Sequence, residues 1–404
     1  MRERTLDVVA AGHISFDMTP QFRKSSYRTL DEVLIPGKLI QVDQPTIATG
    51  GTVSNAGLAL FKLGVKVEFM AKVGDDMFGN AIIEMLNNKT GRICRGITRN
   101  KNASSSYTVC IAVPGIDRIF LHHPGTNDTF GYRDVDFEVV KKTKMFSFGY
   151  PPLMRKLYLH EGEELVRIFK KVKSLGVTTV MDLALPDPAS EAGRLNWNII
   201  FKKVLPYVDI FFPSIEETLY MIDPKKHGRI KEKAVSRHED MVDHLSGADV
   251  TSLSDTLLDY GAAIVGLKCS HRGCYVRTAG KASLGRMGVA KPGDMDAWAN
   301  RELWAPSYHV KNIVSALGSG DSAYAGFLTA FLKGKSVEET LRCANIVGAQ
   351  SLRAYDASGG IGTWKDVECV AKKRDAKFNP LTIATPGWRR ANNNNLWRGP
   401  HDGK

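Results

Sequence analysis

The stretch Ser315-Ala316-Leu317-Gly318-Ser319-Gly320-Asp321-Ser322-Ala323-Tyr324-Ala325-Gly326-Phe327 sets two glycines and a carboxylate ahead of a run of small residues with helical character. Gly318 and Gly320 let the backbone turn tightly and come close to a ligand. A helix starting here turns unpaired amides and a positive dipole end toward that turn. Asp321 is ill placed for simple anion binding, because it would repel a phosphate. It is well placed if a hydroxyl must lose a proton while an anionic group is transferred to it, the layout of phosphoryl transfer to an alcohol. Taken alone, the same residues also describe an ordinary helix N-cap, where Asp and glycine-rich turns are common.

Outward from this stretch, helix-like and strand-like segments alternate. Residues 6–12 form an apolar β-like run, 56–63 a helical pattern, 66–73 a strand closed by Gly74-Asp75-Asp76, and 77–86 a helix. Farther along come helix 162–175 with strand 178–182, strand 208–212 with helix 215–221, and helix 252–260 with strand 262–268. This order predicts an α/β fold, a doubly wound, mostly parallel sheet with helices on both faces. Residues 107–113 and 118–122 flank Pro114-Gly115-Ile116-Asp117 and read as a hairpin. Segments 18–45 and 104–122 are extended and leave the main alternation, which suggests a small β-sheet lid. Residues 277–306 lack periodicity and read as a surface excursion, inside one domain of residues 1–385. The tail, 386–404, with Asn392-Asn393-Asn394-Asn395, has the composition of a mobile segment.

Composition narrows the function classes. The chain has 404 residues, 43% hydrophobic and 24% charged, enough for a substantial core. No apolar run is long enough to span a bilayer. Residues 1–10 lead into a strand without a signal-peptide pattern, so a cytoplasmic protein is expected. The 6 cysteines are scattered, without zinc-finger spacing, which fits reduced thiols. The net charge of +12 suits an anionic small substrate such as a nucleotide. Much of it sits in Lys225, Lys226, Arg229, Lys231, Lys233 and Arg237, interrupted by Glu232, Glu239 and Asp240, which reads as a solvated helical face. No zinc finger, RNA-binding aromatic motif or basic zipper accompanies these charges, which argues against nucleic acid.

A second glycine turn opens the chain's early part: Ala48-Thr49-Gly50-Gly51-Thr52-Val53-Ser54-Asn55-Ala56-Gly57-Leu58-Ala59. Its amides can face a ligand, and Asn55 can both donate to and accept from hydroxyls. Together with Gly318 to Asp321, it resembles the PfkB, or ribokinase-like, family of carbohydrate kinases. The resemblance covers residues 5–365. Gly12-His13-Ile14-Ser15-Phe16-Asp17, Gly50-Gly51 with Asn55, Gly64-Val65, Gly74-Asp75-Asp76-Met77-Phe78-Gly79, Pro124-Gly125-Thr126-Asn127, and Gly318, Gly320, Asp321, Ala325 and Gly326 carry it in order.

The resemblance implies an ATP-dependent kinase that phosphorylates a hydroxyl of a sugar or sugar-like polyol. Asp321 would be the general base, and the amides of Gly318, Ser319 and Gly320 the anion hole. Asp17, Gly50, Gly51 and Asn55 would hold the sugar. Lys268, Ser270 and Gly273 would face the nucleotide, although a lysine at a strand end is often merely solvated; Arg272 has the same standing. Mg²⁺ would serve the nucleotide phosphates, with Glu217 organising it. Edges of the lid could pair with a second copy as a homodimer.

Three departures qualify the match. Ser315-Ala316-Leu317 stands where the family signature begins with Asp and two Thr, so activation by potassium is not carried over. Ser214-Ile215-Glu216-Glu217 replaces the Asn of the family's Asn-x-x-Glu motif, and Ser270 replaces a usual Gly. Ser315 and Ser214 motivate one alternative, a regulatory relative that binds sugar and nucleotide with reduced turnover; a nucleoside kinase is another, because a pocket of Asp and Asn reads hydroxyl pairs generically. A dinucleotide-dependent dehydrogenase is set aside, because Gly12-His13-Ile14-Ser15 lacks the Gly-x-Gly-x-x-Gly fingerprint. Other residues stay open: Asp182 as ligand-facing group or turn cap, Tyr150-Pro151-Pro152 as pocket lining or rigid loop, and His122 and His123 on opposite strand faces.

Overall fold

The computed structural model describes residues 4–23, 27–92, 94–116, 118–373, 375–391 and 395–403. Asp117 of the expected hairpin turn and Asn392, Asn393 and Asn394 of the tail lie outside them. Among the described residues, fifteen strands occur in chain order. These are β1 (Leu6–Gly12), β2 (Ser15–Gln21), β3 (Asp43–Gly50), β4 (Val67–Gly74), β5 (Ile97–Asn100), β6 (Tyr107–Ile111), β7 (Ile119–His123) and β8 (Thr143–Gly149). There follow β9 (Thr178–Asp182), β10 (Ile210–Phe211), β11 (Ile264–Lys268), β12 (Cys274–Thr278), β13 (Glu302–Ala305), β14 (Arg389–Arg390) and β15 (Trp397–Arg398).

An 11-stranded sheet runs β14-β15-β13-β12-β11-β10-β9-β8-β1-β4-β5. Its strands are parallel from β5 to β11 and antiparallel from β11 to β14. From β1 the chain builds toward β5, then returns to build β8 to β11 on the other side. The order therefore reverses between β1 and β8, and ligands of such sheets bind outside the carboxyl ends at that point. Gly12, Gly149, Asp182 and Lys268 are the last residues of β1, β8, β9 and β11.

The strand interior explains the layering. Val8 and Ala10 face one core, with the helices Gly51–Lys62, Ser319–Leu332 and Val337–Ser351. Val9 and Ala11 face the other, with the helices Arg155–Ser174, Ile215–Ile222 and Gly247–Asp259. All four side chains are buried, as expected of a parallel strand covered on both faces. The smaller sheet, β3-β2-β6-β7, is the small separate sheet the sequence suggested, but of segment 18–45 only the two ends, either side of the short helix Leu30–Val33, join it. Asn127 pins its root: its Oδ1 accepts from the Ile14 amide at 3.2 Å and its Nδ2 donates to the Ile14 carbonyl at 2.8 Å.

Two expectations are corrected. Residues 277–306 are not a surface excursion throughout, because Glu302–Ala305 forms the fully buried β13. The tail is not loose either. β15 pairs with β13 and β14, and Trp388 and Leu396 are buried. Arg301 Nε donates to Asp402 Oδ1 at 2.8 Å, and the His401 amide donates to Glu302 Oε2 at 2.9 Å. The asparagines and arginines conceal three apolar anchors, Trp388, Leu396 and Trp397. The basic segment forms the helix Pro224–Arg237, in which only His227 and Ala234 are buried. All 6 cysteines are free. Among the described residues, no helix is long and apolar enough to cross a membrane.

Candidate active site

Asp321 stands in the first turn of the helix Ser319–Leu332 and is 4% exposed. Gly318 makes the turn possible. Its φ is 69°, and an added Cβ would lie 2.2 Å from Ala357 Cβ. Two donors fix the carboxylate: Tyr150 Oη at 2.7 Å and Asn55 Nδ2 at 3.1 Å. Burial pushes the Asp321 carboxyl above its usual range, while Lys268, Tyr150 and Asn55 restrain the rise. Tyr150, left open between pocket lining and rigid loop, follows β8 at φ 65°. Burial and then the nearby carboxylates of Asp321 and Asp182 raise its phenol well above 10, so it serves as a donor.

The helix Gly51–Lys62 brings Asn55 to this point and begins against the lid. An added Cβ on Gly50 would stand 2.0 Å from Asp17 Oδ2. At Gly51, φ is 80°, and an added Cβ would meet the His13 carbonyl oxygen at 2.5 Å. The two glycines therefore let the helix start directly beneath Asp17 and His13. Ser15 Oγ donates to Asp17 Oδ1 at 2.6 Å. Burial raises the Asp17 carboxyl, and hydrogen bonds from Ser15 and Thr108 oppose it.

Lys268 does not project freely at its strand end. Its Nζ donates to both Asp182 oxygens, at 2.7 and 2.8 Å. Asp182 is fully buried, and burial pushes its carboxyl up to about 7 even with the lysine beside it. Burial disfavours the ammonium, yet Asp182, Glu217 and Asp321 together hold Lys268 cationic. We read the pair as an intact ion pair, because bidentate contact and two further carboxylates favour the charged lysine. The ammonium also overlies the Ser319 helix, since an added Gly320 Cβ would be 3.7 Å from Lys268 Nζ.

Ser214 caps the helix Ile215–Ile222 and forms a capping box with Glu217. Its amide donates to Glu217 Oε2 at 2.8 Å, and its Oγ accepts from the Glu217 amide at 3.1 Å. Burial raises the Glu217 carboxyl, with Lys268 and Ser214 opposing. Among the described residues, no group of three His, Cys, Asp or Glu side chains could hold a metal by itself.

A cleft of about 350 Å³ lies on the other side of the Ser319 helix. Lys268, Ser270, Gly273, Ser319 and Gly320 all line it. The expected nucleotide residues thus share one cavity with Ser319 and Gly320 of the expected anion-hole turn, while Gly318 does not line it. Ser319 differs in detail, because its amide donates to the Ala316 carbonyl at 3.3 Å. Arg272 is corrected outright. It is buried, donates to the carbonyls of Val242 and Leu245 at 2.6 and 2.7 Å, and stacks over Trp304, so it braces the fold rather than a phosphate. Sequence reading missed His309 and Asn379 in the cleft wall, joined at 3.1 Å across 70 residues. It also missed the pairing of His13 with His122, 3.3 Å apart. Neither pair is close enough in sequence to form a motif.

The model of pfkB family carbohydrate kinases matches residues 7–363. An uncharacterized sugar kinase of Archaeoglobus fulgidus is 22% identical over 304 residues, 75% of this chain and 98% of that protein. The 5-dehydro-2-deoxygluconokinase of Clostridium perfringens is 22% identical over 391 residues, 94% of this chain and 96% of that one. Arabidopsis thaliana ribokinase, solved with ribose and ATP, has the same fold, with a TM-score of 0.65 at 16% identity over 91% of this chain and 99% of that one. The point where the sheet order reverses, the lid and the two glycine turns lie within the matched span, which covers most of the chain, and on that ground the chain belongs to the pfkB family of carbohydrate kinases.

Proposed function

We propose that this kinase transfers the γ-phosphoryl group of ATP to a hydroxyl of a sugar or sugar-like polyol, with Asp321 as general base. The observation that carries the reading is the place of Asp321. Its carboxylate is held by Asn55 and Tyr150, and it shares a helical turn with Ser319 and Gly320, which line the cleft. A sugar hydroxyl resting on Asp321 would give up its proton as it attacks a phosphoryl group lodged over that turn. The amides of Gly318, Ser319 and Gly320, with the helix dipole, would stabilise the charge on the transferring group. For Ser319 this requires exchanging its long bond to Ala316 for the anion. ATP is seen with the Arabidopsis thaliana relative, which supports the cleft as a nucleotide site.

Asp17, Gly50, Gly51 and Asn55 would form the sugar end. Lys268, Ser270 and Gly273 would face the nucleotide, with Lys268 placed by Asp182. The crowd of Asp182, Glu217 and Asp321 around one lysine fits a divalent cation, because Mg²⁺ near Glu217 would relieve their mutual repulsion. When bound with ATP, Mg²⁺ would neutralise phosphate charge.

ADP release from the purified protein, with Mg-ATP and a panel of sugars, polyols and nucleosides, tests this reading. Sugar-dependent release should fall by about 10²–10⁴-fold in Asp321→Asn, with ATP binding retained. Release that needs no acceptor, or an Asp321→Asn enzyme with undiminished turnover, would overturn it. Release with nucleosides alone would identify a nucleoside kinase. Nucleotide and sugar binding without turnover would favour the regulatory reading.

A further inference from the structure

On the lid, Asp17 of β2 lies opposite Thr108 of β6, and Thr108 lies opposite His122 of β7. Directly opposed residues share one face of a sheet. Thr108 hydrogen-bonds to Asp17, and its Oγ1 lies 3.0 Å from His122 Nδ1. His122 Nε2 is in turn 3.3 Å from Nε2 of His13, which belongs to the connection between the two sheets. The four side chains form one continuous line from the lid to the turn above Gly51.

We propose that Thr108, His122 and His13 are positioning residues for Asp17, a one-directional hydrogen-bonded rail that holds its carboxylate toward the acceptor sugar. This rests on the reading of Asp17 as a sugar-binding residue. The direction follows from donor counting. An ionised Asp17 can only accept, so the single hydroxyl hydrogen of Thr108 points to it. Thr108 must then accept from His122, which places the His122 proton on Nδ1. His122 Nε2 is left with a lone pair, and His13 supplies the proton there from its own Nε2. His13 Nδ1 is therefore a bare acceptor. His13 is 3% exposed, and its Nδ1 is buried without a hydrogen-bond partner among the described residues, so nothing there competes for the proton assigned to Nε2.

Both rings are held neutral. Burial, with His122 beside it, holds His13 well below its usual range. Burial, with His123 adjacent, lowers His122 to about 4, although part of the residue stays exposed. A neutral pair can keep fixed tautomers, whereas a protonated ring would donate from both nitrogens and break the order. His123, on the opposite face, meets Ser104 instead, at 2.9 Å. The rail thus ties the Asp17 face of the lid to the turn at Gly51, and Asp17 receives hydroxyl hydrogens from Ser15 of its own strand and Thr108 of the next.

Two measurements test this. In protein with ¹⁵N-labelled histidine, His122 and His13 are assigned from single variants and their ring shifts read. His122 as the Nδ1–H tautomer and His13 as the Nε2–H tautomer are expected, and an Nε2–H His122 would overturn the rail. Kinetics then compare His122→Leu with His122→Asn, whose amide nitrogen replaces Nδ1–H, using whichever sugar releases ADP. His122→Leu should raise KM for the sugar by about tenfold with little change in kcat, and His122→Asn should restore most of the loss. Equal kinetics in both variants would also overturn it. If the leucine variant does not fold, the tautomers in the unsubstituted protein decide. Asp17→Asn separates the two readings: an unchanged sugar KM there would sink the sugar role of Asp17, whatever the tautomers show.

Discussion

Tyr150 and Asn55 act on Asp321 in the same electrical sense. Each donates a hydrogen bond to the carboxylate and so favours its ionised form against the burial that disfavours it. Burial and nearby carboxylates keep the phenol from ionising, so its bond persists across the working pH range. Tyr150→Phe removes that bond, and the Asp321 pKa should rise. A general base works only when deprotonated, so the acid limb of the kcat profile should move to higher pH. At neutral pH kcat should fall by about tenfold, the worth of one charge-assisted hydrogen bond. A pH–rate profile of the variant checks this, and a limb that stays in place or moves toward acid would refute it.

At the scale of elements, the glycine turns impose the strictest local demands. Gly318 combines a left-handed backbone with no room for a side chain, so Gly318→Ala faces two costs. The left-handed conformation alone costs about 1–2 kcal/mol, and Ala357 must also move. We expect a melting temperature lower by several degrees and loss of ADP release, read by thermal unfolding and by turnover. Full stability with full activity would show that the turn tolerates a side chain. These elements were legible because their signals are local: a glycine pair, a polar residue one turn on, and a strand before them. β1, β4, β9 and β11 were legible for the same reason, as short apolar runs beside helical periods, whereas the central strand β8 went unread. Other features depend on register and on distance along the chain. Lys268 finds Asp182 from 86 residues away. His122 finds His13 from 109 residues away, through strand pairings that no local pattern specifies. Sequence alone leaves Arg272 open between a phosphate contact and a solvated side chain, and it is neither, because its side chain turns back to Val242 and Leu245.

At the scale of the molecule, both sheets carry surfaces that the alternation of elements does not explain. The lid exposes Ile47 on β3, and Phe120 and Leu121 on β7, its two edge strands. Edge pairing with a second copy would cover them. Sedimentation should report a dimer, and Leu121→Asp should shift it to monomer; a monomeric unsubstituted protein would end that reading. The opposite end of the molecule is closed by the tail. Trp388 packs with its ring centroid 6.1 Å from Tyr275 and 6.0 Å from Trp304, side chains of β12 and β13. It also covers Gly247, where an added Cβ would lie 2.5 Å from Trp388 Nε1. Tyr275 connects this corner to Glu302, and the His401 amide reaches the same carboxylate. A loose tail could lose Trp388 without effect, whereas a tail built into the sheet edge could not. Trp388→Ala should cost about 3–5 kcal/mol of stability, as expected for an aromatic removed from a packed core. The proposed sugar residues, Asp17, Gly50, Gly51 and Asn55, belong to the lid and to the helix Gly51–Lys62, not to this corner. Urea unfolding should therefore show a lower midpoint, while KM for the sugar measured well below the transition stays unchanged. An unaltered midpoint would mean that the tail contributes nothing to the fold.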